Sequence, residues 1–138
     1  VANAERFAPA PELRHLLARI YERAGDPSRR PSPDETVLLR FAETNLEEAL
    51  RTSNTPHLLH AELADIALRF ADTARARTEL DTSIAIAPAF WPTRVRLAEL
   101  LRDTGDADGA RREASRALEL NPESEAARGI LASVQPAP

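Results

Sequence analysis

Two histidines, His57 and His60, come closest in this sequence to a chemical site by residue type and spacing. They stand three apart, so on a helix both rings project from one side and could reach a single metal ion. A third ligand is the difficulty, because no other histidine is near and Glu62 falls on a different side of the helix. We therefore expect the pair to pack at a helix start, with metal binding as the alternative, and we expect no metal and no other cofactor.

Other residue types do not assemble a catalytic pattern. The sequence has no cysteine, which excludes disulfides, zinc thiolate sites and cysteine nucleophiles. No nucleophile stands beside a base at a defensible spacing, and no glycine-rich loop is available to hold phosphate. Carboxylates occur all along the chain without a distinguishing pair. We therefore expect a protein that is not an enzyme.

Composition narrows the class further. The chain has 138 residues, 43% of them hydrophobic and few of them aromatic, which fits one small all-helical domain. Its net charge of -4 argues against nucleic-acid binding, which needs an accumulated positive field. No apolar run approaches the length needed to cross a membrane, so we expect no direct membrane insertion of this segment.

The basic residues and the first residue bear on the origin of the chain. All 18 basic residues are arginine, which is typical of GC-rich coding and indicates a bacterial source. The chain begins with Val1, so a preceding segment is expected to have been removed. A processed start and the lack of cysteine favour the periplasm over the cytoplasm.

A repeat of 34 residues organises the second half of the chain. Large residues recur beside small ones on a first helix, a small residue recurs on a second helix, and a proline follows each pair. A large residue next to a small one lets two helices cross closely, and proline is poorly tolerated inside a helix. The matched pairs are Leu63 and Leu97, Ala64 and Ala98, Asp72 and Asp106, Ala76 and Ala110, Arg77 and Arg111, Glu79 and Glu113, and Pro88 and Pro122.

This pattern resembles the tetratricopeptide repeat, a helix-turn-helix unit of that length. A third, earlier unit matches in its first half through Leu17, Ala18, Tyr21, Gly25 and Asp26. The resemblance implies an all-α, right-handed α-solenoid of antiparallel helix pairs with about seven helices. The predicted organisation is an arm at 1–10, a degenerate repeat at 11–56 with an insertion near 27–34, repeats at 57–90 and 91–121, a capping helix at 122–133 and a tail at 134–138.

Local signals predict where the helices begin. Ser32, Pro33 and Glu35 have the spacing of a capping box with proline at the first helical position, so a helix is expected to restart there. Asn121 and Pro122 predict the start of the capping helix in the same way. Between the helices of each pair, Gly105-Asp106 and Ala71-Asp72 are expected to form turns, with aspartate available as a cap.

The resemblance also implies a concave groove that binds an extended peptide or a helix of a partner protein. Side chains on the first helix of each repeat line it in this family. Carried over to this sequence, the groove residues are Glu12, His15, Arg19, Glu22, Arg23, Leu58, Ala61, Asp65, Leu68, Arg69, Val95, Glu99, Arg102 and Asp103.

The chemistry of this set predicts the type of ligand. Its charges are mixed and an apolar strip runs beside them, so we expect a segment with apolar side chains and charges of both signs. Chaperone-binding members of the family hold a partner's C-terminal carboxylate with basic and amide side chains, but Asp65 and Glu99 stand at two of those places here. We therefore expect no such activity. The alternatives are a self-association scaffold that forms a homo-oligomer, and a secretion-type chaperone.

Overall fold

A computed structural model describes residues 30–134, and its regular secondary structure in that range is α-helical. The all-α fold class predicted from the sequence is confirmed. The contacts divide the chain into two compact units, and the boundary along the sequence lies between Ala76 and Arg77. None of the helices in the described range is long and apolar enough to cross a membrane. The helices are α1 Pro33–Ala49, α2 Pro56–Arg69, α3 Thr73–Ile86, α4 Trp91–Asp103, α5 Ala107–Leu120 and α6 Glu125–Val134.

The start of α1 is fixed by the predicted capping box. The Glu35 amide donates to Ser32 Oγ at 3.2 Å, and the Ser32 amide donates to Glu35 Oε2 at 3.3 Å. Pro33 occupies the first turn, where a missing amide proton costs nothing. The prediction that a helix restarts here is therefore confirmed.

The core of the first unit lies between α1 and α2. Ala42, Leu46 and Ala49 of α1 are buried. They share one apolar cluster with three residues of α2, and Phe70 packs against its edge. The α2 members of that cluster are Leu59, Leu63 and Ile66.

The second unit is held by close helix crossings at small residues. Helix α4 packs on α5, and α6 packs on both. Ala98 of α4 and Ala110 of α5 are fully buried, and Leu97 beside Ala98 is nearly so. Alanine at a crossing lets two backbones approach without a void, so the large-next-to-small pattern has the packing role predicted from the sequence.

The 34-residue period appears directly in the helix bounds. Helix α2 ends at Arg69 and α4 at Asp103, while α3 begins at Thr73 and α5 at Ala107. The two turns use the same left-handed backbone, with φ of 56° at Ala71 and 92° at Gly105. The following aspartates then cap, since Asp72 Oδ1 accepts from the Arg75 amide and Asp106 Oδ1 from the Gly109 amide. Both predicted turns are confirmed.

The start of the last helix differs from the prediction. Helix α6 begins at Glu125 rather than at Pro122. Asn121 Oδ1 accepts from the Glu123 amide, which closes a local turn, and Ser124 Oγ accepts from the Ala127 amide and so serves as the cap. The predicted arm, the predicted first helix of the first repeat and the predicted tail beyond 134 fall outside the described residues.

Candidate partner-binding surface

Five of the predicted groove residues lie on α2, in the first unit. Leu58 is exposed, and Asp65 and Leu68 are half-buried. Ala61 and Arg69 are buried, with 4% and 8% of their surface exposed. Since Leu58 and Asp65 are seven residues apart, they share one side of the helix. Leu58, Asp65 and Leu68 of α2 therefore keep some exposed surface, and the expectation that Ala61 and Arg69 are open to a ligand needs correction.

Arg69 is buried at the end of α2 and contacts the start of α1. Its Nη2 lies 3.5 Å from Oε2 of Glu35. The same Glu35 oxygen accepts the hydrogen bond of the Ser32 amide. Arg69 therefore supports the fold of the first unit instead of facing a ligand.

Four predicted groove residues lie on α4, in the second unit. Val95 is buried, with 7% of its surface exposed, and packs into the unit. Glu99, Arg102 and Asp103 are exposed. Arg102 and Asp103 follow Glu99 by three and four residues, so the three form one charged side of the helix. The structure therefore places Val95 in the core and leaves the other three available.

The charges on this side of α4 are not balanced. Arg102 Nε lies 3.2 Å from Asp103 Oδ1, so this guanidinium already has a carboxylate partner. Glu99 is exposed as a residue, yet its carboxyl is partly desolvated by the protein around it. This desolvation raises the pKa of Glu99, an effect that Arg102 opposes, Asp103 reinforces and Arg96 opposes. The α4 side thus carries a carboxylate whose charged form would gain from a further cation.

Contacts with α5, with α3 and with the turn after α3 hold α4 in place. Arg94 Nη1 lies 3.0 Å from Glu113 Oε2 of α5, and Arg94 Nε donates to the backbone oxygen of Pro88 at 3.1 Å. Thr93 and Ser83 meet through their hydroxyls at 3.2 Å in a buried contact between α4 and α3. Glu113 belongs to the matched pairs of the repeat, so its recurrence was the one sequence signal for this contact.

The first unit contains a comparable contact. Arg75 at the start of α3 bridges two carboxylates of α1, with Nη1 2.6 Å from Glu43 and Nη2 2.8 Å from Glu47. Hydrogen bonds to Glu43 and Glu47 raise the pKa of the Arg75 guanidinium, which stays charged. The residues are far apart in sequence, so spacing could not reveal the contact.

The histidine pair does not form part of a ligand cluster in the described range. His57 and His60 are half-buried at the start of α2. Within residues 30–134, no three His, Cys, Asp or Glu side chains are placed to hold a metal ion. Groove positions Glu12, His15, Arg19, Glu22 and Arg23 lie outside the described residues.

The helix pairs and their 34-residue period define a helical-repeat protein. Residues 72–134 match the tetratricopeptide repeat family. This segment therefore belongs to that family, and the resemblance noted from the sequence is confirmed. A comparison with curated protein sequences gives no match.

Solved structures of the same fold agree. The first such domain of Spaghetti (RPAP3), bound to the HSP90 peptide SRMEEVD, is 17% identical with a TM-score of 0.64; the match covers 70% of this chain and 76% of that one. The second domain of human RPAP3, in complex with the HSP70 peptide SGPTIEEVD, is 16% identical with a TM-score of 0.64 and coverages of 74% and 85%. A thermophilic protein of the family from Thermus thermophilus, TTC0263, is 24% identical with a TM-score of 0.69 and coverages of 83% and 56%. At these identities the likeness shows the fold.

Proposed function

We propose that the protein is an interaction module, not an enzyme, and that it binds a peptide or helical segment of a partner protein through the outward sides of its first helices. The observation that carries this proposal is the charged side of α4. Glu99, Arg102 and Asp103 are exposed on a helix whose other side is fixed by buried Leu97 and Ala98. In two of the similar structures, domains of this fold hold a peptide.

The module binds with side chains that are already held in position on rigid helices. The helix crossings and the Arg94–Glu113 ion pair hold α4 before any partner arrives. The protein therefore loses little conformational freedom on binding, and the partner segment carries most of the ordering cost.

The ligand chemistry should differ from that of the RPAP3 domains. Their peptides, SRMEEVD and SGPTIEEVD, are acidic at the end. Here a carboxylate occupies the ninth position of both clear repeats, at Asp65 and Glu99, and Arg102 is already paired with Asp103. A carboxylate terminus would meet repulsion at these positions. The partner segment is therefore one with apolar side chains and charges of both signs, including a basic residue opposite Glu99.

Peptide titration tests the proposal. The first two peptides have identical apolar residues and differ in their charged residue, which is Lys in one peptide and Glu in the other. SRMEEVD is the third peptide. The Lys peptide should bind, and Glu99→Lys should weaken it about tenfold through loss of one attraction and gain of one repulsion. Glu123→Lys makes the same charge change at an exposed turn and should leave binding unchanged. Binding of SRMEEVD that requires its free carboxylate would exclude the proposed ligand class.

Self-association is a second candidate, favoured by one observation. Val37 and Phe41 stand one turn apart on α1 and are 68% and 59% exposed. Large apolar side chains grouped on a surface often mark a contact with another protein. Light scattering of the chain and of Phe41→Ser decides it: a defined oligomer that the substitution dissociates supports self-association, and a monomer in both excludes it.

A further inference from the structure

Helix α5 carries a second polar surface, separate from the α4 residues considered above. Six side chains line a cleft of about 450 Å³ along it: Asp108, Arg111, Arg112, Ser115, Arg116 and Glu119. At 3.6 residues per turn these positions fall on the side of the helix opposite to Ala110, Ala114 and Ala117. Those alanines are fully buried, so the cleft lies on the outward side of α5.

Two of the three arginines in the cleft form ion pairs, and the third does not. Arg111 Nη2 lies 3.2 Å from Asp108 Oδ1, and Arg116 Nη1 lies 2.6 Å from Glu119 Oε2. Arg112 stands between these pairs, is exposed, and makes no ion pair with any residue of the range 30–134. The cleft thus has a positive surplus in a chain of net charge -4.

Hydrogen-bond donors are also available there. Ser115 and Arg116 follow Arg112 by three and four residues, so their polar groups adjoin its guanidinium on the helix surface. Guanidinium and hydroxyl donors around one surplus positive charge suit a carboxylate, which accepts two hydrogen bonds from an arginine.

We propose that this cleft is a second docking site and that it takes a carboxylate side chain from an acidic segment of a partner protein. Arg112 holds the carboxylate, and Ser115 and Arg116 orient it. The site uses α5 alone, so it does not depend on the α4 surface. With the two surfaces, one module holds a partner at two points.

The test uses the full 138-residue chain and a short labelled peptide of alternating Glu and Gly with both ends blocked. The same peptide with Gln in place of Glu is the reference. At low ionic strength the Glu peptide should bind and the Gln peptide should not. Arg112→Gln should weaken binding about fivefold, which is the range of one exposed ion pair. Arg77→Gln removes the same charge from an exposed pair with Asp81 on α3 and should have no effect.

Amide chemical shifts separate this site from the α4 surface. Changes concentrated at residues 108–119 support the α5 site, even if Glu99→Lys shows that α4 binds nothing. Changes confined to α4 overturn it. Equal losses in Arg112→Gln and Arg77→Gln also overturn it, because they would show attraction to net charge alone. Equal binding of the Glu and Gln peptides has the same consequence.

Discussion

Arg69 at the end of α2 contacts Glu35 in the first turn of α1, with Nη2 and Oε2 3.5 Å apart. Glu35 at the same time accepts the hydrogen bond of the Ser32 amide, so one carboxylate completes a helix cap and an interhelical ion pair. A residue expected from the sequence to face a ligand therefore joins two helices. Because Arg69 is buried, we expect this contact to contribute to the stability of the first unit.

Arg69→Glu should destabilise the first unit by about 3 kcal/mol, because it buries a second carboxylate next to Glu35. Arg102→Glu makes the same charge change at an exposed site and should alter the free energy of unfolding by no more than about 0.5 kcal/mol. Chemical denaturation of both variants measures the difference. Equal losses would show that Arg69 has no structural role beyond that of a surface arginine.

A substitution in the turn between α2 and α3 should make the protein more stable. Ala71 holds a φ of 56°, a left-handed conformation that costs an alanine about 1 kcal/mol and a glycine almost nothing. Ala71→Gly should therefore raise the free energy of unfolding by about 0.5 kcal/mol, after the greater entropy of glycine in the unfolded chain is subtracted. Thermal melts give the change.

Gly105 provides the reciprocal test, since it occupies the matching turn with a φ of 92°. A Cβ at this residue would meet no atom within 4 Å, so only backbone strain acts on a substitution. Gly105→Ala should lower the stability by about 1 kcal/mol. A rise in Tm for this variant would remove the backbone argument for both turns.

The crossing of α4 and α5 should reject larger side chains. Ala98 and Ala110 are fully buried, and Ala98→Leu or Ala110→Leu should cost about 1 to 3 kcal/mol by overpacking. Ala126→Leu adds the same atoms on the exposed side of α6 and should be close to neutral. Denaturation curves compare the three, and a neutral Ala110→Leu would mean that the crossing has room to spare.

The 34-residue period was enough to predict most of the fold, because the residues that recur at this spacing pack between the helices. Leu63, Ala64, Leu97 and Ala98 recur at one spacing and all are buried. Side-chain direction at the helix ends was harder to predict. Arg69 and Asp103 occupy equivalent places in the two repeats, yet Arg69 is buried against α1 and Asp103 is exposed beside Arg102. The difference comes from Glu35, which belongs to a distant part of the sequence and which no repeat pattern connects to Arg69.

Glu99 should give the stability a dependence on pH. Its pKa is raised in the folded state above the ordinary 4.5, chiefly by desolvation, so the folded protein holds this proton more tightly than the unfolded chain. The contribution of Glu99 to stability therefore falls as pH rises from about 4 toward neutrality. The Glu99→Gln variant cannot ionise at this residue and should not show this loss. Its free energy of unfolding, relative to that of the original chain, should therefore increase between about pH 4 and pH 7. Denaturation of both proteins across that range measures the difference, and a gap that stays constant or narrows would show that Glu99 ionises as freely in the folded protein as in the unfolded chain.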